Sequence, residues 1–287
     1  MSVFVKRARG VGSEERLRRE LQNSIDAEKI LGEKAPRGAL SPHKNELKFN
    51  YLGAREEFLD KRLTENDHLI GAALGQLAES IALLHSHTSE SDASPERAPV
   101  VPLSVDQLDS MSEAVARFIC RTDDQSILIR RSLLNNESTS RLSFIHGDLT
   151  LDNIHLNSQS GRISIVDWEL SGAGAKEEDL SSLFSSIISL KVLKLAEPEL
   201  DPSKFATGLL DAYRLVVNFL ETYKKFMKTS VDSNLLDALF IEKIKCRTIL
   251  ALHMFGEKSL QFRLLESVSQ KLQINDIVTV VDFARKG

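Results

Sequence analysis

The sequence predicts an α+β fold with a small N-terminal lobe that contains strands and a large lobe that is mainly helical. Apolar and polar residues alternate at 2–6 and 46–52, the pattern of short strands, and a helical pattern lies between them. Beyond residue 67 most of the chain has apolar residues at helical spacing, interrupted by short extended segments between 142 and 167. We therefore predict an N-lobe over residues 1–62 and a C-lobe over residues 63–287.

The N-lobe pattern begins with a strand that carries Lys6. Ser13 can cap a following helix over residues 14–31, in which leucines, a serine and an isoleucine share one face. Glu28 falls near the centre of that predicted face, and Glu20 falls towards its edge. Because a carboxylate on an apolar face needs a partner, Glu28 is the first candidate for an ion pair and Glu20 is the second.

The C-lobe pattern contains several helices and a few short strands. Residues 88–102 are rich in serine, proline and charge, which is typical of an exposed linker. Extended segments are predicted at 142–146, 154–157 and 162–167, with one hairpin among them. Helices are predicted at 67–87, 104–120, 123–135, 177–193, 202–228, 233–255 and 258–271.

Composition narrows the possible partners. The chain of 287 residues has a formal net charge of −4 and a pI near 6.0, so neither nucleic acid nor an anionic membrane is favoured as its partner. No apolar run approaches the roughly 18 residues of a membrane span, and the N-terminus lacks the apolar core of a signal peptide. Cys120 and Cys246 form no C-x-x-C pair. We expect a cytoplasmic protein with reduced cysteines.

The most informative stretch of the sequence lies between residues 144 and 180. Asp148 and Asn153 occupy a loop between two apolar segments, and Asp167 ends a third apolar segment. Phosphoryl transfer needs a carboxylate that orients the attacking hydroxyl and accepts its proton, together with oxygen ligands for Mg²⁺. Asp148, Asn153 and Asp167 supply these groups.

The residues His146-Gly147-Asp148-Leu149-Thr150-Leu151-Asp152-Asn153 resemble the catalytic loop of the aminoglycoside phosphotransferase and choline kinase-like family, which has a protein-kinase-like fold. Asp167-Trp168-Glu169 is similar to that family's metal-binding segment, and Asp179-Leu180 is similar to the Asp-Leu pair that follows it. The three motifs occur in the family's order.

The resemblance implies roles for five polar residues of these motifs. It identifies Asp148 as the catalytic base, and Asn153 and Asp167 as ligands of Mg²⁺ that also bind ATP. It implies that His146 and Asp179 support the catalytic loop.

The resemblance also extends to the N-lobe. Lys6 is similar to the lysine that contacts the ATP phosphates, and Glu28 is then its predicted partner, with Glu20 as the alternative. Residues 46–53 resemble the strand that leads to the adenine-binding hinge.

One feature departs from the family. Only five residues precede Lys6, and no glycine-rich hairpin precedes it to cover the triphosphate. A shortened start, a reduced lobe completed by a partner, and a pseudokinase that only binds are the three explanations. We expect a protein partner or a second copy to cover the exposed edge of the N-lobe, because unpaired strand edges recruit other strands.

The function expected from this sequence is ATP- and Mg²⁺-dependent phosphorylation of a hydroxyl group. The acceptor is a small molecule, or a serine or threonine of a biosynthetic peptide, and it is expected to bind among the helices after residue 177. The alternative is a non-catalytic pseudokinase subunit that supports a partner enzyme.

Overall fold

The computed structural model describes residues 3–7, 13–36, 38–41, 46–50, 57–65, 68–87, 142–195 and 202–271. The predicted linker at 88–102, the predicted helices at 104–120 and 123–135, and Cys120 lie outside the described residues, as does the end of the strand predicted at 46–52.

The N-terminal part of the protein is a three-stranded antiparallel sheet with one long helix. The strands are β1 (Val3–Arg7), β2 (Ala39–Ser41) and β3 (Glu46–Asn50), in the order β1-β3-β2. Lys6 of β1 lies opposite Leu47 of β3, which is fully buried. Helix α1 (Ser13–Leu31) connects β1 to the rest of the sheet and has Glu14 and Glu15 in its first turn, where negative charge is favourable.

Among the described residues, the central part of the chain has two helices and then four short strands. Helices α2 (Leu59–Glu65) and α3 (Ile70–His85) come first. Strands β4 (Ser143–Ile145), β5 (Ile154–Leu156), β6 (Ile163–Ile165) and β7 (Gly172–Gly174) follow. β5 and β6 form the predicted hairpin, and β4 pairs antiparallel with β7. The sequence did not indicate β7, because glycine is disfavoured in strands.

Four helices follow the short strands, all within a few residues of their predicted positions. They are α4 (Lys176–Leu195), α5 (Pro202–Phe226), α6 (Ser233–Phe255) and α7 (Leu260–Lys271). The Asp232 side chain caps α6 by accepting hydrogen bonds from the amides of Asn234 and Leu235. Within the part of the chain that the structure describes, no helix combines the length and the apolar character needed to cross a membrane.

The chain divides into two compact units. The first holds all seven strands named above, helices α1–α3 and the end of α5, from residue 218. The second holds the described residues 180–195, 202–217 and 231–271. Every site residue predicted from the sequence lies in the first unit. The predicted lobe boundary after residue 62 stays a prediction.

Candidate active site

The loop after β4 brings Asp148 and Asn153 together. The buried side chains of Leu149 and Leu151 anchor the loop, and a short 3₁₀ turn (Leu151–Asn153) leads it into β5. The side-chain nitrogen of Asn153 donates a hydrogen bond to the backbone oxygen of Asp148, 2.9 Å away. That bond uses the nitrogen of the amide, so the Asn153 amide oxygen remains as a possible metal ligand.

His146 connects this loop to the segment that carries Asp167. Its Nε2 donates to the backbone oxygen of Val166 at 2.8 Å, and its Nδ1 accepts from the amide of Asp148 at 3.3 Å. Its ring lies 4.7 Å from the ring of Trp168, measured between centroids. The imidazole thus contacts the loop and the strand that leads to Asp167, which is the position of a supporting residue.

The side chain of Asp179 binds the backbone of the loop that follows β4. Its two carboxylate oxygens accept hydrogen bonds from the amides of His146, at 2.7 Å, and Gly147, at 2.8 Å. His85 contacts the same carboxylate at 3.0 Å through Nε2 and contacts the hydroxyl of Tyr223 at 2.8 Å through Nδ1.

The Asp179 carboxylate is fully buried in this network. Burial alone would raise its pKa, but the hydrogen bond and the electrostatic attraction of His85, with the amide of His146, lower the pKa below its ordinary value. The carboxylate therefore keeps its charge, and this charge holds the two loop amides.

Gly147 allows the loop to approach the segment after Asp167 closely. Its φ is +85°, and a Cβ atom there would lie 2.1 Å from the backbone oxygen of Leu170. The hydroxyl of Ser171 donates to the backbone oxygen of His146 at 3.0 Å. The two motifs are therefore in direct contact, although about twenty residues separate them in sequence.

Asp167 has an unusual backbone conformation. Its φ of 65° and ψ of 62° lie in the left-handed region, and no other non-glycine residue in the described ranges has a positive φ. Such a conformation costs free energy and is often found at functional sites. The side chain is 41% exposed, so it can reach a ligand from solvent.

Lys6 lies among three carboxylates. Its Nζ is 2.8 Å from an oxygen of Glu20, 2.5 Å from an oxygen of Asp167 and 3.9 Å from an oxygen of Glu169. Glu20 is buried, whereas Asp167 and Glu169 are partly exposed. The structure thus connects the lysine of β1 to helix α1 and to the predicted metal ligand.

The structure corrects the predicted partner of the lysine. Lys6 pairs with Glu20, the second candidate, whereas Glu28 is the first candidate predicted from the sequence. Glu28 lies eight residues further along α1, about 12 Å along the helix axis. The buried positions of α1 show why the choice failed. Its inner face shares three of the five residues of the predicted stripe but is rotated towards Glu20, which is buried, whereas Glu28 is only partly buried. This face consists of Leu17, Glu20, Ser24, Ala27 and Leu31.

Burial and the ion pair with Lys6 have opposite effects on the pKa of Glu20. Burial raises its pKa, and the charge and hydrogen bond of Lys6 offset part of that rise, which leaves the pKa at about 7. Burial would lower the pKa of Lys6, but the attraction of Asp167 and Glu20 outweighs it and raises the pKa above the ordinary value. Lys6 is therefore cationic at neutral pH, whereas Glu20 gains or loses its proton close to neutral pH.

The same carboxylates are a set of oxygen donors that could hold a cation. Glu20, Asp167 and Glu169 each place one oxygen within 4.8 Å of the others. Carboxylate and amide oxygens suit Mg²⁺ better than softer metals. Asn153 lies next to this set, because its backbone oxygen accepts a hydrogen bond of 2.9 Å from the amide of Val166. The donor set therefore fits Mg²⁺, the predicted metal.

Comparison with known proteins identifies the family. A model of the phosphotransferase enzyme family matches residues 2–214. The chain belongs to this family. The comparison with curated proteins found no match.

Solved structures place this phosphotransferase among protein-kinase-like folds. A choline/ethanolamine kinase family protein from Mesorhizobium loti is 12% identical with a TM-score of 0.56, covering 97% of this chain and 86% of that protein. A glucosamine kinase in complex with glucosamine, ADP and inorganic phosphate is 18% identical with a TM-score of 0.55, and the match covers 88% of this chain and 68% of that protein. An aminoglycoside phosphotransferase from Streptomyces rimosus is 16% identical with a TM-score of 0.52, and the match covers 85% of this chain and 86% of that protein.

These comparisons confirm the predicted α+β, protein-kinase-like fold class, the suspected family and the enzyme class, a kinase with a hydroxyl acceptor.

Three residues of the site were not predicted from the sequence. Glu169 lies two residues after Asp167 within the recognised motif, so its position was a usable signal. His85 ends α3 and Asn23 lies on α1, and neither belongs to a recognised motif. Only the folded chain brings His85 to Asp179, and the side-chain nitrogen of Asn23 to the backbone oxygens that flank the turn after Asp167.

Proposed function

We propose that this phosphotransferase transfers the γ-phosphoryl group of ATP, with Mg²⁺, to a hydroxyl group of a small molecule. The observation that carries the proposal is the position of Lys6, which contacts both Glu20 and Asp167 beside the loop that joins Asp148 to Asn153. Phosphoryl transfer depends mainly on positioning and on stabilisation of phosphate charge, and these residues are suited to both tasks.

Each residue has a role in the proposed reaction. The ammonium group of Lys6 binds phosphate oxygens and is oriented by Glu20. Asp167 and Asn153 would hold Mg²⁺, and the bound ion would neutralise charge on the phosphates. Asp148 orients the acceptor hydroxyl and accepts its proton.

The bond changes are those of a single displacement. The acceptor oxygen forms a bond to the γ-phosphorus while the bond from that phosphorus to the bridging oxygen of ADP breaks. The proton of the hydroxyl passes to the Asp148 carboxylate and then to solvent. The products are a phosphate monoester and ADP.

Similar proteins support a small-molecule acceptor. Their names refer to choline or ethanolamine, to glucosamine and to aminoglycosides, and one glucosamine kinase was solved with glucosamine, ADP and inorganic phosphate. These compounds all carry both hydroxyl groups and nitrogen. We therefore propose an amino alcohol or amino sugar as the class of acceptor and ATP as the donor.

Calorimetric titration with a nonhydrolysable ATP analogue tests the nucleotide site. We expect binding by the wild-type chain that requires Mg²⁺ and that is lost in Asp167→Ala. Absence of nucleotide binding by the wild-type protein with Mg²⁺ would contradict the proposal.

An assay of ADP release in the presence of amino alcohols and amino sugars tests the reaction. We expect acceptor-dependent release that falls about 10²- to 10⁴-fold in Asp148→Ala, the usual contribution of a general base. Undiminished turnover in this variant would remove Asp148 from the mechanism and favour a binding role for the loop.

We also propose that another chain pairs with the outer edge of β1. Among the described strands, β1 pairs only with β3, so no described strand pairs with its other edge, and such edges recruit strands of other chains. A second copy is detected by light scattering as a dimer at micromolar concentration, and another protein is detected by co-purification. A monodisperse monomer that co-purifies with nothing would refute this part of the proposal.

A further inference from the structure

We propose that Asn23 is a positioning residue that couples helix α1 to the turn carrying Asp167. The side-chain nitrogen of Asn23 donates two hydrogen bonds, to the backbone oxygen of Trp168 at 2.9 Å and to that of Ser171 at 3.1 Å. The metal-dependent part of this inference rests on the function proposed above.

The two acceptors bracket one turn of the chain. Trp168 begins the 3₁₀ turn that ends at Leu170, and Ser171 follows it. Asp167 immediately precedes this turn and has the left-handed conformation. By holding both ends of the turn, Asn23 opposes relaxation of Asp167 to an ordinary conformation.

An amide suits this position because of its two donors. The Asn23 nitrogen carries two hydrogens, and each acceptor is a carbonyl oxygen. An aspartate of nearly the same shape offers only acceptors when ionised, so it would face two carbonyl oxygens without a hydrogen to share. The change Asn23→Asp therefore removes the interaction while changing the volume very little.

The two hydrogen bonds of Asn23 form a clamp on this turn. This clamp comes from the same helix as Glu20, the partner of Lys6. Glu20 lies three residues before Asn23, and residues at this spacing are neighbours on a helix surface. One segment of α1 therefore holds Lys6 through Glu20 and the Asp167 turn through Asn23. A shift of α1 would alter the phosphate-binding lysine and the metal ligand together.

The connection continues into the catalytic loop. Ser171, whose backbone oxygen accepts from Asn23, donates its own hydroxyl hydrogen to the backbone oxygen of His146 at 3.0 Å. Loss of Asn23 is thus expected to loosen Asp167 and to weaken the binding of Mg²⁺. Residues that orient metal ligands commonly contribute about tenfold or more to metal affinity or activity.

Tryptophan fluorescence provides the first test. Trp168 is the single tryptophan of the chain and is fully buried within the clamped turn, so its quenching by acrylamide reports directly on that turn. We expect stronger quenching in Asn23→Ala and Asn23→Asp than in wild type. The control is Gln22→Ala, which removes an exposed side-chain amide that bonds Asp26 on the same helix, and it is expected to behave as wild type.

Magnesium dependence provides the second test, on variants shown by circular dichroism to be folded. With the nonhydrolysable ATP analogue held constant, we expect the Mg²⁺ concentration for half-maximal binding to rise about tenfold in both Asn23 variants and to stay unchanged in Gln22→Ala. Any weak nucleotide binding without Mg²⁺ should be equal in all four proteins. A structural role alone would lower stability without moving the Mg²⁺ midpoint.

The outcomes separate this inference from the proposed function. An unchanged Mg²⁺ midpoint in both Asn23 variants overturns the positioning role, whatever the fluorescence shows. If the wild type binds no nucleotide with Mg²⁺, the proposed function fails, and the clamp is then judged by fluorescence alone. In that case unchanged quenching overturns the clamp and stronger quenching supports it.

Discussion

The ammonium nitrogen of Lys6 lies 2.8 Å from a carboxylate oxygen of Glu20, across the contact between β1 and α1. The glutamate side chain is almost completely buried, at 1% exposed, whereas that of the lysine is 22% exposed. The lysine therefore remains accessible to a ligand while its partner belongs to the core.

Exchanging Glu20 for glutamine is expected to weaken nucleotide binding. The variant leaves Lys6 without its buried counter-charge, so the ammonium group is less well oriented. We expect a loss of about tenfold in affinity for the ATP analogue, equivalent to about 1.4 kcal/mol. Glu28→Gln, on the same helix, is the matched control and should bind within about twofold of wild type, as expected of a change away from the site. Equal losses in the two variants would contradict the pairing seen here.

The buried Glu20 carboxyl should make stability depend on pH. Its pKa is about 7 in the folded protein and 4.5 in the reference state, so the folded protein binds the proton more tightly. Its favourable contribution is therefore complete below about pH 4.5 and is lost as the pH rises to about 7. Since one pKa unit corresponds to about 1.4 kcal/mol, the loss is at most about 3–4 kcal/mol.

Urea denaturation at pH 5 and pH 8 checks this expectation. Glu20→Gln lacks the titrating group, so its free energy of unfolding should fall less between these pH values than that of wild type. Glu28→Gln should follow the wild-type trend. Parallel pH profiles for wild type and Glu20→Gln would show that Glu20 does not titrate in this range.

Two glycines with a left-handed backbone conformation allow the cost of backbone strain on substitution by alanine to be separated from the cost of a steric contact. Gly147 has φ +85° and a Cβ there would meet the Leu170 oxygen, whereas Gly161 has φ +67° and nothing within 4 Å of that position. We expect Gly161→Ala to cost about 1–2 kcal/mol, the conformational term alone. Gly147→Ala should cost about 4 kcal/mol or more, since a backbone contact must also be relieved. Similar unfolding midpoints in urea for the two variants would rule out the close approach.

Removal of the Asp179 carboxylate is expected to destabilise the catalytic loop. In Asp179→Ala the buried amide of His146 and the partly buried amide of Gly147 lose their acceptor and His85 loses its partner, which should cost about 3 kcal/mol or more. Asp26→Ala is the control, because Asp26 is a partly exposed carboxylate paired with Lys29 and should cost less than about 1 kcal/mol.

The difference between wild type and Asp179→Ala should also depend on pH. Because the folded-state pKa of Asp179 is lowered, the contribution of its charge is present at neutral pH and is lost as the pH falls through the folded-state value. The free-energy difference measured by urea denaturation should therefore shrink on acidification. A difference that grows in acid would indicate that the carboxyl is protonated in the folded protein.

Sequence patterns were sufficient where the signal is local. The strand that carries Lys6, helix α1, the β5–β6 hairpin and the four C-terminal helices follow from periodicity and capping residues. The order and spacing of Asp148, Asn153 and Asp167 indicated the chemistry, because the loop that joins Asp148 to Asn153 is only a few residues long. In contrast, β7 was missed, since Gly172–Gly174 has no strand signal and pairs with a strand about thirty residues away.

The sequence by itself determined the class of fold, and it indicated the motif and the lysine that we propose to carry the chemistry. The tertiary structure decided which face of α1 turns inward, and so which glutamate pairs with Lys6, because that rotation depends on packing against the sheet and the Asp167 turn. It also brought Asn23, His85 and Tyr223 to the two motifs. Their contacts span between 94 and 148 residues of chain, a separation at which local sequence carries no signal.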